Sequence, residues 1–194
     1  MASHDLVVVG GGPGGYVAAI RAAQRGLDVG IIEKEQRLGG TCLRVGCIPS
    51  KALLESSHKF EEAGHEFQSH GIQFDKLAFD LAAMMRRKDE VVSTLSKGIE
   101  ALLKKNKITR YAGVGRLSGP GQVEVLATDG VMSVVESPRI LLAVGSRSTV
   151  LPGIEVDGTF VGTSTEALAF NEVPPHLVVI GGGYTGLLCA INLI

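Results

Sequence analysis

Cysteine is scarce in this chain of 194 residues, three in all, which excludes a disulfide-stapled scaffold. Excess charge is lacking as well. A net charge of −1 argues against nucleic acid or an acidic membrane surface as the main partner. No apolar run is long enough to cross a bilayer, so a membrane partner is not expected either. The apolar stretch Leu6–Val9 follows the first residues almost at once, so no leader segment is expected. A cytoplasmic location is expected, or the mitochondrial matrix if a transit peptide has been removed. No repeat of about 20–50 residues runs through the chain. What it has in quantity is apolar residues, 45%, enough for a substantial core, and 26 glycines, whose positions carry much of the signal.

Leu6-Val7-Val8-Val9 reads as a buried strand running into Gly10-Gly11-Gly12-Pro13-Gly14-Gly15. A helix with alanines at 18, 19, 22 and 23 follows, Gly26 stops it, and a second strand covers 28–33. Strand, glycine loop, helix, strand and terminal acid make a βαβ unit of the dinucleotide-binding type, the acid about 20 residues after the loop. Gly10 permits the tight turn, Gly12 lets backbone approach a pyrophosphate, and Gly15 lets helix and strand pack closely. The helix N-terminus adds amide donors and partial positive charge, and Glu33 would accept hydrogen bonds from ribose hydroxyls. A glycine-rich turn in an unrelated α/β protein would not need that strand, helix and acid around it.

Further on, 49–67 reads as a helix, and 77–105 as a longer one with Leu81, Met84, Met85, Val91, Val92, Leu95, Ile99, Leu102 and Leu103 on its apolar side. The short connection between them predicts antiparallel packing. Strands are expected at 109–117, 122–127 and 131–135, and a buried strand at 139–143. Another strand, 176–180, leads into a second glycine loop, Gly181 to Gly186. The fold class is therefore α/β: a doubly wound, Rossmann-like domain over 1–150, with a helical hairpin and a β-meander inserted. Residues 151–194 supply a linker and the start of a second dinucleotide-binding fold. His58 and His65 stand two helical turns apart with no third ligand, so no metal site is expected. Cys189 reads as a small apolar packing residue.

Cys42 and Cys47 lie in Gly40-Thr41-Cys42-Leu43-Arg44-Val45-Gly46-Cys47-Ile48-Pro49-Ser50-Lys51. In a regular helix, residues five apart are about 8–9 Å apart at Cα, beyond the roughly 7 Å limit for a disulfide. The segment must unwind locally if the thiols pair. Gly46 allows that, and Pro49 suits the first turn of a helix starting after Cys47. The helix dipole there favours a thiolate, and Lys51 adds positive charge. The alternative is two packed cysteines and a surface lysine.

This segment resembles the active-site run of the FAD-dependent pyridine nucleotide-disulfide oxidoreductases, class I. Cys-Ile-Pro-Ser-Lys-Ala-Leu-Leu is most similar to the branch that oxidises dihydrolipoamide. The resemblance extends from Asp5 to about Gly186. It implies FAD on the first fold, held by Gly10, Gly12, Pro13, Gly14, Gly15, Glu33, Lys34, Gly39, Gly40, Thr41, Lys51, a backbone contact at Gly115, and the turn Val144-Gly145-Ser146. It implies NAD on the second loop, at Gly181, Gly183, Tyr184 and Gly186. Cys42 would exchange with the lipoyl sulfur, Cys47 would pass electrons toward the flavin, and Lys51 would stabilise negative charge on both. The implied partner is the lipoyl group of a 2-oxoacid dehydrogenase-type complex, and the implied assembly is a homodimer.

Three departures from the family pattern stand out. Arg44 replaces the usual Asn between the cysteines, Val144 the usual Thr, and Leu188 a carboxylate near the nicotinamide. With the chain ending at Ile194, the second fold, the later strand of the first and the interface domain with its His–Glu pair are expected to be missing. This chain alone is then expected to lack full turnover and contains no assignable catalytic base. A related FAD-dependent reductase of another disulfide or of a metal ion, and a non-catalytic fragment, remain alternatives.

Overall fold

The computed structural model describes residues 2–193. Ile194, the last residue of the chain, lies outside them. The chain divides into two compact units, Met1–Arg44 with Thr94–Arg147, and Val45–Ser93 with Ser148–Ile194.

The first unit carries every strand found among the described residues, in a seven-stranded sheet of order β1-β6-β5-β4-β3-β2-β7. Its parallel part consists of β2 (Leu6–Val9), β3 (Val29–Glu33), the first residues of β4 (Thr109–Gly119) and β7 (Ile140–Leu142). From Gly113 onward β4 leaves β3 and pairs antiparallel with β5 (Gln122–Ala127), which pairs with β6 (Met132–Glu136). This is the expected meander. A short β1 (Ala2–Ser3), absent from the sequence reading, runs parallel to β6.

Period-two alternation explains how the layers pack. Val7, Val9 and Ile32 turn to one face of the parallel sheet and bury against Val123, Val125 and Val135 of the meander. Val8 and Ile31, fully buried on the other face, back onto the helix side, where α1 (Pro13–Gln24) contributes Ala19. At about 1.5–3 kcal/mol per fully buried Val or Ile, these residues are the main source of the unit's cohesion. β7 is shorter and more open than the buried 139–143 strand expected. Leu142 is 54% exposed, because β7 is the edge of the sheet and has a neighbour on one side only.

The second unit is built on α3 (Cys47–His65), a 3-10 turn (Phe67–His70) and the first turns of α4 (Leu81–Lys105). Arg87 donates to Ala52 O at 2.9 Å and pairs with Glu55, while the Phe60 and Phe79 rings meet edge-on at 5.4 Å. Contacts that climb α3 while descending toward 79 make the pair antiparallel, as the short connection predicts. α4 starts at Leu81 rather than 77, because the Asp80 carboxylate accepts from Ala83 N–H and caps it. Its buried stripe is Lys88, Val92, Ser96, Ile99 and Leu103. Leu95 and Leu102, expected on the apolar side, are exposed.

Residues 176–180 form no strand. A parallel strand needs neighbours to take its backbone groups, and no strand among the described residues pairs with this segment, so Val178 and Ile180 are 74% and 72% exposed. The glycine loop after it nevertheless leads into α6 (Tyr184–Leu193) as expected. No helix among the described residues is long and apolar enough to cross a membrane.

Candidate functional site

The first glycine loop sits between β2 and α1, and each glycine has a separate cause. Gly10 adopts φ +111°, and a Cβ on it would lie 2.2 Å from Ala143 O. A Cβ on Gly15 would lie 1.8 Å from Gly10 O, so only glycine lets α1 start this close to the strand. Gly12 is the N-cap of α1, without a capping side chain, and Pro13 opens the first turn.

Three other segments converge on this loop. The Glu33 carboxylate, buried at the end of β3, accepts from Gly11 N–H at 2.7 Å and from Glu35 N–H at 2.9 Å. One carboxylate thus ties the loop to the chain leaving β3. Gly39 N–H donates to Gly11 O at 2.9 Å, and a Cβ on Gly40 would lie 2.6 Å from Gly12 Cα. Gly39 and Gly40 both have positive φ, which this backbone-on-backbone approach requires. Ala143 and Val144 pack against Gly10, with Ala143 N–H bonded to Val9 O.

The expected residues Gly10–Gly15, Glu33, Gly39, Gly40 and Val144 are therefore gathered at one end of the parallel sheet, where strand ends, two glycine turns and a helix N-terminus meet. The cradle is bare of side chains at Gly12, Gly14 and Gly40, and Lys34 and Thr41 are exposed at its edge. That suits a pyrophosphate reached by backbone amides, with adenosine-side hydroxyls at Glu33. Gly115 has another cause: its Cβ would press within 3.1 Å of both Val9 and Ile32, in the core between sheet and meander. Gly145 (φ +70°) and Ser146 stand exposed beyond β7.

The thiol segment starts at the same turn. α2 (Gly40–Val45) carries Cys42, half-buried, and stops at Gly46, whose φ −139° and ψ −114° break the helix. Cys47 is exposed and begins α3. The local unwinding that pairing of these thiols demands is thus present at Gly46. Pro49 falls in the first turn of α3, where its missing N–H costs nothing, and Lys51 is exposed one turn on.

In the second unit, the loop Gly181–Gly186 repeats the first in miniature. Gly181 has φ +107°, and a Cβ on Gly186 would lie 2.2 Å from Gly181 O, the same pair of constraints as Gly10 and Gly15. Tyr184 is exposed at the start of α6. Cys189 is half-buried, and burial pushes its thiol pKa up, so it is protonated at neutral pH.

Sequence reading passed over a group of side chains that hold the 35–38 loop. Arg110 Nη2 donates to Glu35 O and Gln36 O at 2.9 and 2.8 Å, Ser96 Oγ donates to Leu38 O at 3.0 Å, and Arg44 pairs with Glu35 at 3.0 Å. Only the departure at Arg44 was a signal; the others depend on long-range placement. No cluster of three or more His, Cys, Asp or Glu able to hold a metal is found among the described residues.

Comparison with known proteins agrees with this geometry. Residues 4–194 match the family model "Pyridine nucleotide-disulphide oxidoreductase". The chain is 52% identical, over 95% of its length, to the mitochondrial dihydrolipoyl dehydrogenase of Pisum sativum, and 54% identical over 95% to leghemoglobin reductase of Vigna unguiculata. It spans 37% and 35% of those relatives. Its fold superposes with TM-score 0.83 on the Cu(II) complex of the HOCl-induced flavoprotein disulfide reductase RclA of Escherichia coli, at 26% identity, covering 99% of this chain and 40% of that one. With nearly its whole length matched by that family model, the chain belongs to the pyridine nucleotide-disulphide oxidoreductase family, whose cofactors are FAD and a pyridine nucleotide.

Proposed function

We propose that this chain carries the FAD-binding and dithiol part of an enzyme that oxidises dihydrolipoamide to lipoamide with NAD+ as final acceptor. The observation that carries the reading is the packing of Gly39-Gly40 on Gly11-Gly12, which starts the Cys42 helix at the dinucleotide cradle. The 52% identity to a dihydrolipoyl dehydrogenase supports the substrate.

In the oxidised state Cys42 and Cys47 would share a disulfide. A thiolate of the substrate attacks Cys42 Sγ and releases Cys47 as thiolate. The second substrate thiol then closes the lipoamide ring and releases Cys42, so two electrons pass to the protein thiols. FAD, when bound, supplies the two-electron carrier between these thiols and NAD+. Gly10, Gly12, Pro13, Gly14, Gly15, Glu33, Lys34, Gly40, Thr41, Gly115, Val144, Gly145 and Ser146 would hold it, with Lys51 balancing negative charge. Gly181, Gly183, Tyr184 and Gly186 would hold NAD. Residues 1–150 are assigned to the FAD-binding domain, and 151–194 to the linker and start of the NAD-binding domain. The partner would be the lipoyl group of a 2-oxoacid dehydrogenase-type complex, met as a homodimer in the cytoplasm or mitochondrial matrix.

The test is the visible spectrum of the purified 194-residue chain, incubated with FAD and freed of excess. A retained flavin band, with a long-wavelength charge-transfer shoulder on mild reduction, supports the reading. A chain that retains no flavin supports the non-catalytic fragment instead. NADH formation from dihydrolipoamide by this chain alone would sink the expectation that it lacks full turnover. The 54% identity to a leghemoglobin reductase favours a second reading, a flavoprotein reductase of another acceptor; comparing dihydrolipoamide with ferric haem protein as substrates of the full-length protein separates the two.

A further inference from the structure

The loop between Glu33 and Gly39 has its carbonyl groups held by side chains from distant parts of the first unit. Arg110 lies on β4 opposite Ile31 of β3, so it stands on the helix-side face of the sheet. Its Nη2 donates to two successive carbonyls, Glu35 O and Gln36 O, and its Nη1 lies 3.5 Å from Glu100. Ser96 takes the third carbonyl, Leu38 O, beside a fully buried Leu38 side chain. The Glu35 side chain turns the other way, to Arg44 on the helix that carries Cys42.

The two ends of this loop are working parts of the cradle. At one end Glu33 reaches Gly11, and at the other Gly39 N–H reaches Gly11 O. A short loop pinned at both ends to one glycine transmits any change in its own path to that glycine. Both bonds leave one nitrogen, Nη2, whose two N–H groups are fixed in the guanidinium plane and so fix the path; the N–H groups of a Lys ammonium rotate on a flexible stem and hold it less firmly.

We propose that Arg110 and Arg44 are positioning residues of the dinucleotide site, Arg110 setting the backbone of the Glu35–Leu38 loop and Arg44 gripping Glu35 from the Cys42 helix. The inference rests on the reading that FAD occupies the first glycine loop. Arg44 thus gains a role of its own: where the family carries Asn, this chain carries an Arg with Glu35 opposite it. The Arg110 interaction, two charge-assisted bonds to backbone carbonyls, outweighs the single Arg44–Glu35 pair, whose carboxylate is 38% exposed.

The experiment measures FAD dissociation constants by flavin fluorescence on the full-length protein, with the unfolding midpoint of each variant recorded without FAD. Arg110→Lys is expected to weaken FAD binding about tenfold and Arg44→Glu several-fold, following the usual worth of charge-assisted bonds and of partly exposed ion pairs. The swapped pair Arg44→Glu with Glu35→Arg is expected to restore affinity to within about threefold of the parent, a rescue a merely structural contact elsewhere would not give. If Arg44→Glu does not fold, Arg44→Asn, the residue usual in the family, takes its place and is expected to weaken binding by a smaller factor. Parent-like FAD affinity in folded Arg110→Lys overturns the role of Arg110. Unchanged affinity in the Arg44 variants, or failure of the swap to rescue, overturns the role of Arg44. A parent protein that binds no FAD overturns the functional reading itself and this inference with it.

Discussion

Gly14 and Gly15 are neighbours in one loop with opposite prospects for substitution. A Cβ on Gly14 would meet only Ala143 Cβ at 3.9 Å, an ordinary contact, whereas one on Gly15 would strike a backbone carbonyl. Gly15→Ala is expected to cost about 3 kcal/mol or more and Gly14→Ala less than about 0.5 kcal/mol in urea unfolding. Equal midpoints for the two variants would contradict the packing described. Glu33 has a similar all-or-none character. Both carboxylate oxygens accept backbone N–H groups, so Glu33→Gln turns an amide donor toward one of them and is expected to lose about 1–3 kcal/mol. Thiol accessibility also differs residue by residue. In the reduced protein iodoacetamide should modify exposed Cys47 well before half-buried Cys189, whose raised pKa keeps it protonated. Mass spectrometry of a time course that found Cys189 labelled first would refute this.

Among the elements, α5 (Ser164–Ala167) is a helix of four residues closed by a capping box. Thr163 Oγ1 accepts from Thr165 N–H, while Glu166 accepts from Thr163 N–H and from its hydroxyl. The Thr163 side-chain bond, followed by its backbone bond, holds the Glu166 carboxyl below its ordinary pKa. A depressed folded pKa contributes stability that is complete above the unfolded value, about 4.3, and is lost as pH falls through the lower folded value. Glu166→Gln should therefore lower the unfolding midpoint at pH 7 and make no difference at pH low enough to protonate Glu166 in the folded state. A deficit that persists unchanged into acid would refute the cap. Helix α1 and the first glycine loop were legible in sequence because glycine spacing reports sterics within one loop. The strand expected at 176–180 was not there, because a strand is completed by partners and alternation says nothing about whether they are present.

Across the whole first unit, β4 belongs to the parallel sheet and to the meander in turn, and Val123, Val125 and Val135 close over Val7, Val9 and Ile32. The two parts are expected to unfold together. Val123→Ala, at a side chain with no exposure, should cost about 2 kcal/mol and shift one transition for both. Two separated transitions by circular dichroism would show that the meander is independent. By itself the sequence determined the glycine loop, the acid that ends β3, the helix break at Gly46 between the thiols and the α/β class, since each follows from sterics or periodicity within a few consecutive residues. Only the tertiary structure decided that Gly40 lies on Gly12, that β7 is an open edge, and that Arg110, Ser96 and Arg44 hold the loop from 35 to 38. Those contacts join residues 9 to 75 positions apart, or depend on which strands are neighbours, and only the packing of the layers brings them within bonding distance.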